Sequence, residues 1–416
     1  MTVPYSSPKP PAIGALSNVN IDNNTLATGD VVKYNSANQL WENGVGGGGS
    51  AATVDITDTN TSGTYYPVFT DGAGTGKTLN VDASTTPISV NPNTGDFKVV
   101  NTLKLDQNKV AIGKLAADIG QGADAVAIGL IAGYLSQGTK SVAIGNSAAD
   151  TSQGANAVAI GNSTARITQG ANSVAIGSLS ALTNQGTNAV AIGNSAGATT
   201  QSDNGIAIGL NAGQNTQSSN AVAIGTSAGI TSQKTNAIAI GLNAGNLNQN
   251  TGSVAIGNLA GQTTQGQRSV AIGEDAARIT QGANSVAVGA NAGENIQALR
   301  AIAVGSFAGS INQSSYGCAM GFQAAYTGQG AGAVALGFYA GRSNQGANSI
   351  AIGEDAGTIS QHANSIILNA TGAALQSDGV SRLFINPIRA LTNPAGAGIS
   401  GSLWYNSTSK ELCYEP

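Results

Sequence analysis

The stretch QGANSVAIG, residues 169–177, decides the fold because it recurs almost unchanged along the chain. Residues 281–289 read QGANSVAVG, and residues 345–353 read QGANSIAIG. Copies of its V-A-I-G core, or close variants, begin at Val110 and continue to Ile366, each one 16 residues after the last. A fixed spacing without insertion or deletion is typical of a protein whose identical units stack on one another.

The pattern inside one repeat is that of a strand followed by a corner. We number the sixteen positions as slots, with the Val of V-A-I-G as slot 1, and call residues 110–125 coil 1. Slots 1 and 3 are aliphatic, mostly Val or Ile, slot 2 is Ala in 16 of 17 copies, and slot 4 is Gly from Gly113 to Gly353. The alternation favours a strand, and the Gly favours a corner with unusual backbone angles. A helix is excluded because Gly and β-branched residues would weaken every turn of it.

These repeats predict an all-β fold, a parallel β-solenoid of 16-residue coils over residues 110–369. Sixteen spacings of ~4.8 Å give a rod roughly 77 Å long. We expect the Val and Ile of slots 1 and 3 to form two continuous buried columns, each side chain contributing about 1.5–3 kcal/mol. The small residues of slots 2, 7, 8 and 16 are compatible with close packing between chains.

Slot 12 is Gln in all 16 copies, which predicts a ladder of stacked amides along the rod. A ladder of glycan- or ion-binding groups is the functional alternative, and pairing of buried polar groups favours the structural one. The predicted ladder consists of Gln121, Gln137, Gln153, Gln169, Gln185, Gln201, Gln217, Gln233, Gln249, Gln265, Gln281, Gln297, Gln313, Gln329, Gln345 and Gln361.

Five segments follow from composition along the chain. Residues 1–43 form a polar N-terminal attachment segment, and residues 44–50, GVGGGGS, form a flexible linker. Residues 51–109 hold short β-prone runs of a shaft or cap, residues 110–369 are the solenoid, and residues 370–416 form a β-rich tail or cap.

Composition excludes several classes of protein. Charged residues make up 9% of the chain and aromatic residues 4%, while Gly numbers 58, so a large aromatic core is not expected. A net charge of −4 gives no basic surface for nucleic acid. We expect no secretory signal, no membrane insertion and no disulfide framework from two cysteines, of which Cys318 takes a Val slot.

No motif predicts a catalytic residue, a cofactor or a metal ion, so we expect no enzyme. DGAGTGKT, residues 71–78, lacks the first Gly and the following helix of a phosphate loop and is interpreted as a polar turn. His362, the single histidine, lies in a corner slot. The neighbouring carboxylates at Glu274 and Glu354, each followed by Asp, are interpreted as solvated charge, with a weak cation site as the alternative. A lyase on a solenoid scaffold lacks a convergent ionisable cluster, and an ice-binding face lacks a Thr column.

Aromatic residues break the pattern in three consecutive coils. Phe307, Phe322, Phe338 and Tyr339 occupy slots 5 and 6, and Tyr326 occupies slot 9 nearby. Stacking of the coils brings these five rings to one side of the rod. This aromatic patch is interpreted either as local packing or a chain interface, or as a surface for a ligand or partner such as a sugar.

The NSVAIG core followed by small residues resembles the head repeats of trimeric autotransporter adhesins, the YadA-like heads. The resemblance covers residues 110–369 and implies a left-handed parallel β-roll in which three chains pack around one axis. The repeat here is longer than the bacterial head repeat, so a corner or the second strand must differ. We also expect no secretion signal, coiled-coil stalk or membrane anchor of those adhesins in this chain.

The flanking segments resemble parts of fibre proteins of phages and large DNA viruses. They are VVKYNSANQLWENG, ISVNPNTGDFKVV and LWYNSTSKELCYEP. The resemblance implies a homotrimeric, non-enzymatic fibre on the virion surface, attached to other virion or capsid proteins through its N-terminal region and contacting a host glycan or receptor. The alternative is a bacterial or cellular surface adhesin with a YadA-like head.

Overall fold

A computed structural model of the 416-residue chain describes residues 108–388 continuously and, outside them, eight short strands. The chain divides into two compact units, Met1–Lys104 and Leu105–Pro416. Outside residues 108–388 the described strands form antiparallel pairs: β1 (Asp30–Asn35) with β2 (Leu40–Val45), β3 (Val68–Thr70) with β4 (Leu79–Val81), β5 (Ser89–Asn91) with β6 (Asp96–Lys98), and β33 (Ser402–Tyr405) with β34 (Leu412–Glu415).

The slot 1–3 segments form the first strands of the coils, and each pairs in parallel with its counterpart 16 residues on, Val110 opposite Val126 and Ile350 opposite Ile366. These strands are β7 (Val110–Ile112), β9 (Val126–Ile128), β11 (Val142–Ile144), β13 (Val158–Ile160), β14 (Val174–Ile176), β15 (Val190–Ile192), β17 (Ile206–Ile208), β19 (Val222–Ile224), β20 (Ile238–Ile240), β21 (Val254–Ile256), β23 (Val270–Ile272), β25 (Val286–Val288), β27 (Ile302–Val304), β28 (Cys318–Met320), β29 (Val334–Leu336), β30 (Ile350–Ile352) and β31 (Ile366–Asn369).

The second strands are shorter and end on the slot 12 Gln. They are β8 (Ile119–Gln121), β10 (Leu135–Gln137), β12 (Thr151–Gln153), β16 (Thr200–Gln201), β18 (Thr216–Gln217), β22 (Thr264–Gln265), β24 (Thr280–Gln281) and β26 (Ile296–Gln297). In other coils single parallel bridges continue the line, as between Gln217 and Gln233. Residues 108–388 contain no α-helix. The predicted all-β solenoid of 16-residue coils is confirmed.

The interior of the coil is built from small residues and Gln, and the predicted burial of the Val and Ile columns is wrong. Ala127, Ala143 and the other slot 2 alanines are fully buried from coil 2 onward, as are the Ala, Gly and Ser of slots 7, 8 and 16 in most coils. Side chains alternate along a strand, so an inward slot 2 turns slots 1 and 3 outward. Ile240 is 36% exposed and Met320 is 42% exposed.

The interior of the coil is so narrow that one Gln side chain spans it. The Nε2 of Gln217 donates a hydrogen bond to the slot 1 carbonyl of Ile206 on the opposite strand, at 2.7 Å. With such a short crossing, the inward side of the first strand has room for a methyl group and no more. The small residues at slots 2, 7, 8 and 16 therefore fill the coil itself, which corrects their expected role in packing between chains.

Corners of the coil depend on backbone angles that few residues adopt. The slot 4 glycines have φ between +107° at Gly353 and +139° at Gly161. A Cβ on Gly209 would lie 2.7 Å from the carbonyl oxygen of Gly225 in the next coil. Slots 6, 8 and 15 also take positive φ. Slot 15 is Asn in nine of sixteen coils, because Asn tolerates the left-handed region best after Gly.

The last coil differs from the rest. β32 (Leu383–Asn386) pairs with β31 one residue out of the 16-residue period, Ile366 lying opposite Leu383. Ile367 replaces the inward Ala and is fully buried, with Leu375 and Phe384 packed against the same core. Larger side chains thus fill the interior where the repeating Ala and Gln stop.

Candidate functional site

The outward side chains of slots 1 and 3 form a continuous apolar surface, which we call the aliphatic face. Its slot 3 row includes Ile176, Ile240, Ile272 and Leu336, which are 36–41% exposed, and its slot 1 residues are mostly half-buried. Two rows two residues apart over ~77 Å give a footprint of roughly 80 by 10 Å, about 800 Å². Monomeric proteins rarely expose a contiguous apolar patch beyond ~300–600 Å². Sequence reasoning missed this surface, although Ala in slot 2 of 16 of 17 copies, between two large aliphatic residues, marks the side with little room.

The slot 12 glutamines run through the coil interior as a row of bonded amides. Nε2 of Gln217 donates to Oε1 of Gln233 at 3.1 Å, and Oε1 of Gln217 accepts from Nε2 of Gln201 at 2.9 Å. Bonds of this kind join every consecutive pair from Gln153 to Gln361, at 2.9–3.2 Å. Each amide also donates to the slot 1 carbonyl of its own coil, so its hydrogen-bonding capacity serves the fold.

The two N-terminal glutamines of the row bond differently. Gln121 donates to the backbone carbonyls of Val110 and Ala125, and Gln137 donates to that of Val126. No amide bond links Gln121 to Gln137 or Gln137 to Gln153, and the Oε1 atoms of Gln137 and Gln153 are buried without a partner among the described residues. The amide row therefore starts at coil 3.

A second amide row lies on the surface and was not foreseen. Four pairs of slot 15 asparagines bond between neighbouring coils, as Asn156 Nδ2 does to Asn172 Oδ1 at 3.1 Å and Asn204 Nδ2 to Asn220 Oδ1 at 3.2 Å. The frequency of Asn in this slot was visible in the sequence, but its positive φ was needed to explain the choice.

The structure brings the five rings of the aromatic patch together. The rings of Phe322 and Phe338 stack with centroids 5.5 Å apart and planes 14° apart. Phe307 meets Phe322 and Tyr326 edge-on, at 6.4 and 6.1 Å, and Tyr339 lies 3.9 Å from Phe338. Phe322 is 40% exposed and Phe338 is 43% exposed, so the patch forms an open apolar surface on one corner of the solenoid.

The two Glu-Asp pairs have different surroundings. In coil 11, Arg278 lies 3.4 Å from Asp275 and 2.8 Å from Glu294. Burial raises the pKa of Asp275 above its usual range, and the Arg278 guanidinium opposes that shift. In coil 16 slot 9 is Thr358, and neither Glu354 nor Asp355 forms an ion pair with a residue in 108–388.

The remaining predicted residues lie apart from one another. His362 is exposed, and its Nδ1 is 3.0 Å from the hydroxyl of Ser377. Cys318 is half-buried on the aliphatic face, and burial raises the pKa of its thiol. Residues 71–78 lie outside the described residues. The described part of the chain has no group of three or more His, Cys, Asp or Glu placed to hold a metal ion. It also has no helix long and apolar enough to cross a membrane.

Comparison with known families gives one match. The model of the YadA head domain repeat matches two stretches, residues 185–212 and 265–292. Both lie within the solenoid, and the resemblance of the repeats to YadA-like heads is confirmed at these residues. No curated protein and no solved structure matches the chain.

Proposed function

We propose that the chain is a non-enzymatic, homotrimeric fibre protein of a virus particle, in which the solenoid is a stiff spacer that presents a contact surface. The aliphatic face carries the proposal. A contiguous apolar surface of about 800 Å² on a single chain is expected to be buried against a partner, and copies of the same face can bury it along its whole length. Because every coil presents the same two rows, three chains related by a three-fold axis meet in register.

Heads of the YadA type form homotrimers, and the family match supports the same assembly here. The attachment of residues 1–43 to other virion proteins rests on the resemblance of the flanks to viral fibres. Three copies of one contact surface on one rod would raise the strength of attachment through multivalency.

The assembly is tested by charging the aliphatic face in three consecutive coils. The test variant carries Glu at Ile224, Ile240 and Ile256. We expect light scattering to give a mass of three times 40.9 kDa for the natural chain and a lower mass for the variant. A trimer of the variant would bring together nine added carboxylates, three from each chain, and their repulsion together with the lost apolar contact opposes assembly.

A matched control carries Glu in slot 10 of the same coils, at Thr231, Leu247 and Thr263. Leu247, at 40%, is as exposed as Ile240, at 36%, so the two variants differ in the face they charge. A trimer that survives the slot 3 changes, or that both variants break equally, would contradict the assignment of the aliphatic face.

The second candidate function is a cell-surface adhesin, and the YadA head match favours it. Antibody labelling in the electron microscope distinguishes the two. The viral proposal predicts gold particles on intact virions, and labelling restricted to the surface of cells would replace it with the adhesin.

A further inference from the structure

The aromatic patch is not required by the solenoid. Slots 5 and 6 hold Asn, Ser or Leu in most other coils, which keep the same register. Phe307 and Tyr339 sit in slot 6 with φ of 58° and 57°, a left-handed geometry that disfavours bulky residues. Asn, found in slot 6 of coils 7, 9 and 12, takes that geometry with less strain. The rings are therefore placed at a local cost in backbone strain, which the Leu or Ile in slot 6 of coils 1, 2, 5 and 10 also carries.

The patch continues into charged groups in the next coil. The backbone N–H of Asp355 donates to the carbonyl of Phe338 at 3.0 Å, so Glu354 and Asp355 follow directly along the same corner. The guanidinium carbon of Arg342 lies 4.8 Å from the centre of the Tyr339 ring. Arg342 forms no ion pair with a residue in 108–388, and its Nε is buried without a hydrogen-bond partner there.

The same tetrapeptide elsewhere in the chain provides an internal comparison. GEDA occurs in coils 11 and 16. In coil 11 the carboxylate of Asp275 and its neighbour Glu294 share Arg278. In coil 16 slot 9 is Thr358, and Arg342, which belongs to coil 15, stands over the Tyr339 ring, so the carboxylates of Glu354 and Asp355 form no ion pair within the described residues. The charges beside the rings are thus available to an outside molecule.

We propose that the aromatic patch, with Arg342, Glu354 and Asp355, binds a neutral oligosaccharide lying along the rod. The C–H faces of sugar rings pack on the exposed carbons of Phe322 and Phe338, since C–H edges are attracted to aromatic faces. Sugar hydroxyls donate to the carboxylates and accept from the guanidinium, which are the strong, charge-assisted hydrogen bonds. A cationic ligand fits less well because Arg342 already lies over Tyr339, and an anionic ligand meets two carboxylates.

This inference deepens the proposed adhesive role by naming the class of partner, and it rests on that role. Its test is titration calorimetry of the full chain with maltohexaose, cellohexaose and chitohexaose as probes. We expect at least one of the three to bind. The variants Phe338→Leu, which keeps apolar packing but removes the ring, and Glu354→Gln should each weaken that binding about tenfold or more.

Matched controls lie in the same slots of other coils. Asn258→Ala changes slot 5 of coil 10, and Glu274→Gln changes slot 5 of coil 11; both should leave the affinity unchanged. Failure of all three sugars to bind the natural chain would overturn the inference, as would equal losses in test and control variants. Preferred binding of choline or polygalacturonate would overturn it too.

The alternative interpretation of the aromatic patch is that it forms an interface between copies of the chain. Light scattering on Phe338→Leu separates it from sugar binding, because a drop in mass would assign the rings to that interface and overturn the inference. A natural chain that is monomeric but binds sugar would instead contradict the proposed trimer and leave the sugar site standing.

Discussion

Replacing Gln217 with Met removes the polar centre of one coil while keeping a side chain of similar length. Gln217 is fully buried. Its Nε2 donates to Ile206 O at 2.7 Å, to Ala221 O at 3.2 Å and to Gln233 Oε1 at 3.1 Å, and its Oε1 accepts from Gln201. Nε2 has two hydrogens, so its three acceptors share two donors, and three full hydrogen bonds at about 0.5–1.5 kcal/mol net each give a loss of about 1.5–4.5 kcal/mol in unfolding free energy. Oε1 of Gln233 is left without its donor inside the coil.

Denaturant unfolding followed by circular dichroism measures the loss, and hydrogen exchange places it along the rod. Contacts in a solenoid join nearest neighbours, so amide protection should fall at least tenfold in coils 6–8 and change little at coil 15. The matched control is Gln214→Met in slot 9 of the same coil. Gln214 is half-buried, and its single side-chain bond, to Asn211, is 3.4 Å long. We expect Gln214→Met to lower the free energy of unfolding by less than about 0.5 kcal/mol.

Equal effects of the two Met variants would refute this reasoning. So would a loss below 1 kcal/mol for Gln217→Met, because the amide row would then contribute little beyond filling space.

Three further predictions concern Gly209, Gln217 and Cys318. Gly209→Ala should destabilise the chain by about 2–6 kcal/mol, because a φ of +128° is strained for Ala and the added Cβ would contact the next coil. Its control, Gly213→Ala, should cost about 1–2 kcal/mol, because slot 8 is Ala in other coils. Urea unfolding measures the free energy of unfolding of both variants. Gln217→Glu should become less stable as pH rises from 4 to 8, because burial raises the carboxyl pKa above its unfolded value of about 4.3. Thermal unfolding at a series of pH values measures this loss, and the unfolding midpoint of the natural chain should change less with pH. In a Cys413→Ser background, a short bismaleimide should join two chains through Cys318 into a covalent dimer that is visible on a denaturing gel. The reaction should be slow at pH 7 because burial raises the pKa of the Cys318 thiol. The further change Cys318→Ser should abolish the product.

The period, the strands and the corners were predictable because each depends on local rules. Alternation around slot 2 and the Gly of slot 4 define a strand and a turn without any tertiary information. The direction of the first strand was not predicted correctly, since apolar residues are usually taken to face inward. In this coil Gln217 and its counterparts occupy the interior, and the space left beside them admits Ala.

Contacts of the aromatic patch depend on the turn geometry, which the sequence does not define. The proximity of Phe322 and Phe338 followed from the 16-residue period alone. The position of Arg342 over Tyr339 required coordinates, whereas the sequence alone shows Thr358 in slot 9 of coil 16, where coil 11 has Arg278. The YadA head match identifies the repeat type, but it covers two short stretches and leaves the corner residues unexplained.

A cryo-electron microscopy reconstruction of the purified full chain tests the central claim most directly. The account predicts three solenoids around a three-fold axis, with the Ile240 row of each turned toward the other two and Gln217 enclosed within its own coil. Single solenoids, or an assembly in which that row faces solvent, would contradict it.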